Sequence, residues 1–173
     1  MKKAATCLLP AIFMLVSAFT PANAPKTWKA ILKLEGMGKT YSFTSDAIYG
    51  GFQVENQKIF LFGKNHMFQN HEEADAMKVF HDLCTSNAMQ QFQFEVNGIT
   101  SDKAPLKSSK VSGNISFQKK QPLYASFRSF GAGKNKVASI EMSGNLKNLG
   151  YTFTPEAEKT FTGKYTLTFI SSN

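Results

Sequence analysis

The sequence predicts an all-β domain, an antiparallel barrel or sandwich of about eight strands, with one helix packed against it over about residues 71–84. Through most of the chain apolar residues alternate with polar ones, the pattern of strands with one buried face. Turn-forming residues separate these runs at near-regular spacing, and one segment carries a helical period instead.

Near the start, Trp28, Ala30, Leu32 and Leu34 alternate with Lys29, Ile31 and Lys33, and Tyr41 and Phe43 follow. Lys58 to Phe62 is a short, more continuously apolar strand. Phe92, Phe94 and Val96 oppose Gln91, Gln93 and Glu95, while Val111, Gly113, Ile115 and Phe117 oppose Ser112, Asn114 and Ser116. Leu123, Ala125 and Phe127 then oppose Tyr124, Ser126 and Arg128, and Ala138, Ile140 and Met142 oppose Ser139 and Glu141. The clearest case is the last, with Phe161, Gly163, Tyr165, Leu167 and Phe169 on one face and Thr162, Lys164, Thr166 and Thr168 on the other. Turns are expected at Gly36-Met37-Gly38, Tyr49-Gly50-Gly51, Asn97-Gly98, Gly131-Ala132-Gly133 and Asn148-Leu149-Gly150, and Ser101 to Lys110 reads as an exposed loop.

The helical segment opens with Asn70 as N-cap and Glu73 three residues on, placing acids at the positive end of the helix dipole. Ala76, Met77, Phe80, Leu83 and Cys84 fall on one face of it. Thr154-Pro155-Glu156 opens a second, single-turn helix with proline at its first position.

The first 24 residues have the form of a bacterial secretory signal peptide. Lys2 and Lys3 precede an apolar run from Cys7 to Phe19, and Ala22-Asn23-Ala24 is a small-residue cleavage pattern. Pro25 would follow that cut, so Ala22/Asn23 and Ala18/Phe19 are alternative sites. The expected organisation is a signal peptide at 1–24 and a single β-rich domain at 25–173, periplasmic or secreted. Its 149 residues suffice for one core burying about 68–70% of the unfolded surface. No second apolar run approaches the roughly 18 residues of a membrane helix. Cys7 leaves with the signal peptide, and Cys84 alone cannot close an intrachain disulfide.

Fourteen phenylalanines after residue 24 imply an aromatic-dense core or an aromatic-lined cavity, between which composition does not choose. Charge is distributed unevenly. Residues 25–102 hold seven basic and nine acidic groups, whereas residues 103–147 hold nine basic groups against the single acid Glu141. Such a segment forms either a solvated lysine surface or a face that attracts anions, with Lys119, Lys120, Arg128, Lys134 and Lys136 as the candidate anion-binding residues. Tyr124, Phe127 and Phe130 beside these cations would suit single-stranded nucleic acid. Export removes that partner and leaves anionic envelope components in its place.

Catalytic patterns fail on inspection. Gly38-Lys39-Thr40 ends like a phosphate-binding loop, but Lys33 stands where its first glycine is needed. His71-Glu72-Glu73 begins like a zinc-protease helix, yet Asp75 occupies the second histidine position, and no Gly-x-Ser-x-Gly elbow exists. The three histidines and the remaining cysteine, His66, His71, His81 and Cys84, cluster between Asn65 and Cys84, so they are the residues a zinc or copper site would use. Their spacing matches no closed four-ligand pattern, and Cys84 lies on the apolar helix face. No metal, cofactor or enzymatic activity is expected.

Met77-Lys78-Val79-Phe80-His81-Asp82-Leu83 followed by Gln91-Phe92-Gln93-Phe94 reads as a helix leading into a Phe-bearing strand, and Val111-Ser112-Gly113-Asn114-Ile115-Ser116-Phe117 as a glycine-bearing strand after it. In these motifs the central region resembles the bacterial periplasmic polyisoprenoid-binding proteins of the YceI type. The likeness spans about residues 58–170; Thr40-Tyr41-Ser42-Phe43 stands where the family carries an early His-Ser signature. The resemblance implies a lipocalin-like barrel that binds an apolar or amphiphilic ligand without catalysis. Phe43, Phe92, Phe94, Phe117, Phe127, Tyr165 and Phe169 would then line the cavity. The alternative is an envelope or secreted interaction protein with a solid aromatic core, binding another protein or a polyanion through its basic 103–147 face.

Overall fold

Alternation becomes a closed barrel because every strand has a hydrogen-bonded neighbour on each side. The computed structural model describes residues 27–53, 58–88, 91–97, 109–116, 120–130 and 137–172. Eight strands follow one another around the barrel: β1 (Thr27–Gly36), β2 (Thr40–Gln53), β3 (Lys58–Lys64), β4 (Gln91–Asn97), β5 (Ser109–Ser116), β6 (Lys120–Phe130), β7 (Val137–Asn145) and β8 (Phe161–Ser172). All neighbours are antiparallel, and β8 returns to pair with β1 from Thr27↔Ser172 to Gly36↔Phe161, so barrel rather than sandwich is the answer. The signal-peptide segment 1–24, Phe117, Lys119, Lys134, Lys136, residues 101–108 of the expected loop, Gly98 and the expected turn Gly131-Ala132-Gly133 lie outside the described residues.

The inward set is the one the alternation names. Trp28, Ala30, Leu32 and Leu34 of β1 and Phe161, Tyr165, Leu167 and Phe169 of β8 are all buried. The register matches them across the seam, with Ala30 opposite Phe169 and Leu32 opposite Leu167. A one-residue slip would turn both sets to solvent, which is why the register is strongly specified.

The turn expected at Tyr49-Gly50-Gly51 does not form. β2 runs through it to Gln53, paired with β3 from Ile48↔Gly63 to Gln53↔Lys58. Gly50 has φ 111°, and a β-carbon there would lie 2.2 Å from the Phe60 carbonyl oxygen. The glycine serves a close approach between strands, not a chain reversal.

Helix α1 (Ala74–Ser86) and helix α2 (Pro155–Thr160) lie in the β3–β4 and β7–β8 connections, and both connections leave from the same end of the barrel. α1 starts three residues later than its sequence signature suggests. The Asn70 side chain accepts hydrogen bonds from the Glu72 and Glu73 backbone N–H groups, both at 3.0 Å, so it closes a turn before the helix, and Glu73 takes the cap position. The expected apolar face is otherwise intact, with Ala76, Met77, Phe80, Leu83 and Cys84 buried. α2 forms as expected: Pro155 is its first residue and the Thr154 hydroxyl accepts from the Ala157 N–H at 3.2 Å.

Candidate functional site

From α1 inward, the aromatic side chains form a connected series. Phe80 stacks on Phe43 at 4.7 Å between ring centroids and meets Phe68 edge-on at 6.2 Å. Phe68 lies 6.0 Å from Phe92, Phe92 lies 5.9 Å from Phe169, and Phe169 lies 5.0 Å from Phe94. Four of the expected cavity residues, Phe43, Phe92, Phe94 and Phe169, are therefore brought together with two that the alternation does not reveal, Phe68 and Phe80. Ring pairs of this kind add about 0.5–1.5 kcal/mol each beyond burial. Phe127 is buried in β6, and Tyr165 is buried in β8 nearer the helices.

Beside this series lies an enclosed void of about 10 Å³, lined by Leu32, Asn65, Phe68, Phe92, Leu146, Leu149, Tyr151, Tyr165 and Leu167. That is close to the space of a single water molecule. Its polar lining is tied into the fold. Tyr151 is hydrogen-bonded to Cys84. Burial pushes the Cys84 thiol up to about 12 and the Tyr165 hydroxyl up to about 12, and holds Tyr151 well above the ordinary tyrosine range. Cys84 is thus a neutral thiol at physiological pH and no nucleophile.

Between β6 and β7 the pairing of the wall is incomplete. β6 pairs with β5 along its length, from Ser109↔Phe127 to Ser116↔Lys120. It pairs with β7 only from Ser126↔Glu141 to Phe130↔Val137, while Met142 to Asn145 of β7 pair with β8 alone. Pro122, which has no N–H to offer, stands on the stretch of β6 without a β7 partner. The separation opens a cleft of about 320 Å³ lined by Ile115, Pro122, Tyr124, Ser143, Gly144, Asn145, Asn148, Leu149 and Tyr165. Tyr124 is 83% exposed at its lip. Gly144 matters here because a β-carbon would come to 3.0 Å from the Tyr165 ring and hydroxyl. Leu149 and Tyr165 line both cleft and void, so those two side chains separate outside from inside.

The opposite end is different. Trp28, the second residue of β1, is 3% exposed, yet its indole Nε1–H is enclosed and has no hydrogen-bond partner. Leaving such a donor unmet costs about 1–3 kcal/mol. Alternation marks Trp28 as core, and no sequence signal distinguishes an unpaired indole from a paired one.

The remaining sequence candidates do not assemble. Among the described residues no three His, Cys, Asp or Glu side chains stand where they could hold a metal ion. His66 and His71 are exposed, His81 is half-buried with its Nε2 enclosed and unpartnered, and Cys84 is buried against Tyr151. Of the basic set, Arg128 is exposed on β6, and Lys120 belongs to the start of the same strand. Lys147, from the same basic segment, is engaged in the fold, 3.2 Å from Glu158 and over the Phe153 ring.

The architecture is that of a lipocalin-like barrel: eight antiparallel strands, closed, with one end covered by helix. No family model and no curated protein matches the chain. Among solved structures it is similar to BcnA of Burkholderia cenocepacia, with TM-score 0.64 and 11% identity over 84% of this chain and 96% of that one. It is also similar to a polyisoprenoid-binding domain from Saccharophagus degradans implicated in plant cell wall breakdown, with TM-score 0.62 and 8% identity over 84% of this chain and 91% of that one. At these identities the likeness is one of fold, and at that level it agrees with the resemblance to YceI-type barrels drawn from residues 58–170. No helix among the described residues is long and apolar enough to cross a membrane.

Proposed function

We propose that the protein is a non-catalytic binding protein for an apolar or amphiphilic ligand of lipid or isoprenoid type, exported to the periplasm or beyond by its first 24 residues. The observation that carries this reading is the β6–β7 cleft. A closed barrel has no need of an interrupted wall, and this interruption leads to Leu149 and Tyr165, behind which lies the apolar interior. The fold shared with a polyisoprenoid-binding domain supports the same reading. The void of about 10 Å³ is too small for such a ligand as it stands, so binding requires Leu149, Tyr165 or the phenylalanines around Phe92 to move. In this reading the cations of residues 103–147, Arg128 among them, favour an anionic head group.

One observation favours the alternative of an interaction protein with a solid core. Tyr49 and Phe62 stack at 5.4 Å on the outside of β2 and β3, 54% and 40% exposed, where they could meet another protein. Native mass spectrometry of protein purified from its own source decides between the two. A co-purifying apolar molecule, released by organic extraction, is the expected result. A clean apo mass together with no uptake of a hydrophobic fluorophore would overturn the ligand-binding reading.

A further inference from the structure

We propose that Trp28 reads the polar head of the ligand: its indole N–H donates a hydrogen bond to an acceptor oxygen of an amphiphile whose apolar chain lies in the barrel. This rests on the ligand-binding reading above and assigns it a polar contact.

Other buried polar side chains are tied into the fold. The Ser171 hydroxyl accepts from the Ala138 N–H at 2.8 Å, the Ser45 hydroxyl accepts from the Ala47 N–H at 3.3 Å, and the Asn87 amide bonds to both Leu83 and Thr152. Buried donors are paired almost without exception in folded proteins, and each departure calls for a reason. Trp28 Nε1 is such a departure, in a residue that is only 3% exposed.

Its location supplies the reason. Trp28 is held between Ile48 of β2 and Ser171 of β8, one residue in from the end of β1 that lies opposite the helices. Gly51 lies further along β2 towards that rim, and a β-carbon there would come to 3.8 Å from Nε1 and meet no other described atom within 4 Å. Position 51 therefore brings no side chain against the nitrogen, and the enclosure of Nε1 opens only as a ligand displaces its neighbours. An indole is a donor only, so it selects a hydroxyl, carbonyl or phosphate oxygen and gains nothing from an ammonium group or a pure hydrocarbon. An apolar chain directed inward and an oxygen at the rim is the polarity of an amphiphile.

Trp28 is the sole tryptophan of the chain, so one indole NMR resonance and one fluorophore report on the site without overlap. The test titrates 15N-labelled protein with farnesol, farnesyl phosphate and the hydrocarbon farnesene, and follows binding of each by native mass spectrometry. Farnesol or farnesyl phosphate should move the indole proton downfield and the emission to longer wavelength, and farnesene should bind without either change. The tighter of the two oxygen-bearing ligands identifies the head as hydroxyl or phosphate. Trp28→Phe should weaken their binding about tenfold, the worth of one hydrogen bond, while leaving farnesene binding unchanged. Retained farnesene binding also shows that the variant is folded. The inference is overturned if farnesol and farnesyl phosphate bind but the wild-type indole resonance stays in place, a result that leaves the ligand-binding reading intact. If none of the three binds, both fall together.

Discussion

The two ends of the barrel handle buried polarity in opposite ways. At the helix-capped end, the Asn87 amide donates to the carbonyls of Leu83 and Thr152, each at 2.8 Å, and its oxygen accepts from the Thr152 N–H at 2.6 Å. That one side chain ends α1 and fastens it to the segment leading to α2. Tyr151, immediately before, bonds the Cys84 thiol. His81 Nε2 is the exception, on a residue that is itself only half-buried. At the other end, Trp28 is almost wholly buried and its donor meets nothing. A satisfied network rigidifies and specifies a fold, whereas an unsatisfied one is kept only where something else requires it. The fold itself satisfies most buried polar groups of the capped end, and at the Trp28 end it leaves a donor unmet.

Stability should therefore reside in the capped end. Phe80→Ala removes the ring through which α1 stacks on Phe43 and meets Phe68, and should cost about 3–5 kcal/mol in urea denaturation. A loss under 1 kcal/mol would mean that α1 is an ornament on an independently stable barrel. Asn87→Ala should cost about 1–2 kcal/mol, because it removes the partner of the Thr152 N–H and carbonyl and a helix-ending contact to Leu83. By the same comparison Trp28→Phe should cost less than Asn87→Ala, since it deletes a donor that had no partner.

Most of this fold is legible in the alternation, and the reason is physical. Each strand has one face buried, so Trp28, Leu32, Phe92 and Phe169 had only one way to point. Closure is invisible to that pattern, because an inward residue of a barrel and of a sandwich look alike. Gly50-Gly51 misleads because a glycine that permits a close strand approach has the same letter as one that permits a turn. The candidate site is less legible. Phe68 precedes the helix and obeys no period, yet its ring joins Phe80 to Phe92. The cleft depends on where β7 parts from β6, a matter of register between Ser126 and Glu141 that composition does not encode.

The smallest effect separates the two ends by chemistry instead of by mutation. The groups whose ionisation burial opposes, Cys84, Tyr151 and Tyr165, border the helix-capped half, and Trp28 does not titrate. Unfolded, the Cys84 thiol ionises near its ordinary 9.0, whereas folded it does so only at about 12. Between those values unfolding releases a proton, so this contribution is complete below about pH 9 and is lost as the pH rises toward 12. From pH 9 to 10, before the tyrosines contribute fully, the loss due to Cys84 should be about 1 kcal/mol. Urea midpoints measured across that unit should fall in the wild type and fall less in Cys84→Ala. A slope that Cys84→Ala leaves unchanged would show that the thiol reaches water, and that the capped end is less closed than its bond network implies.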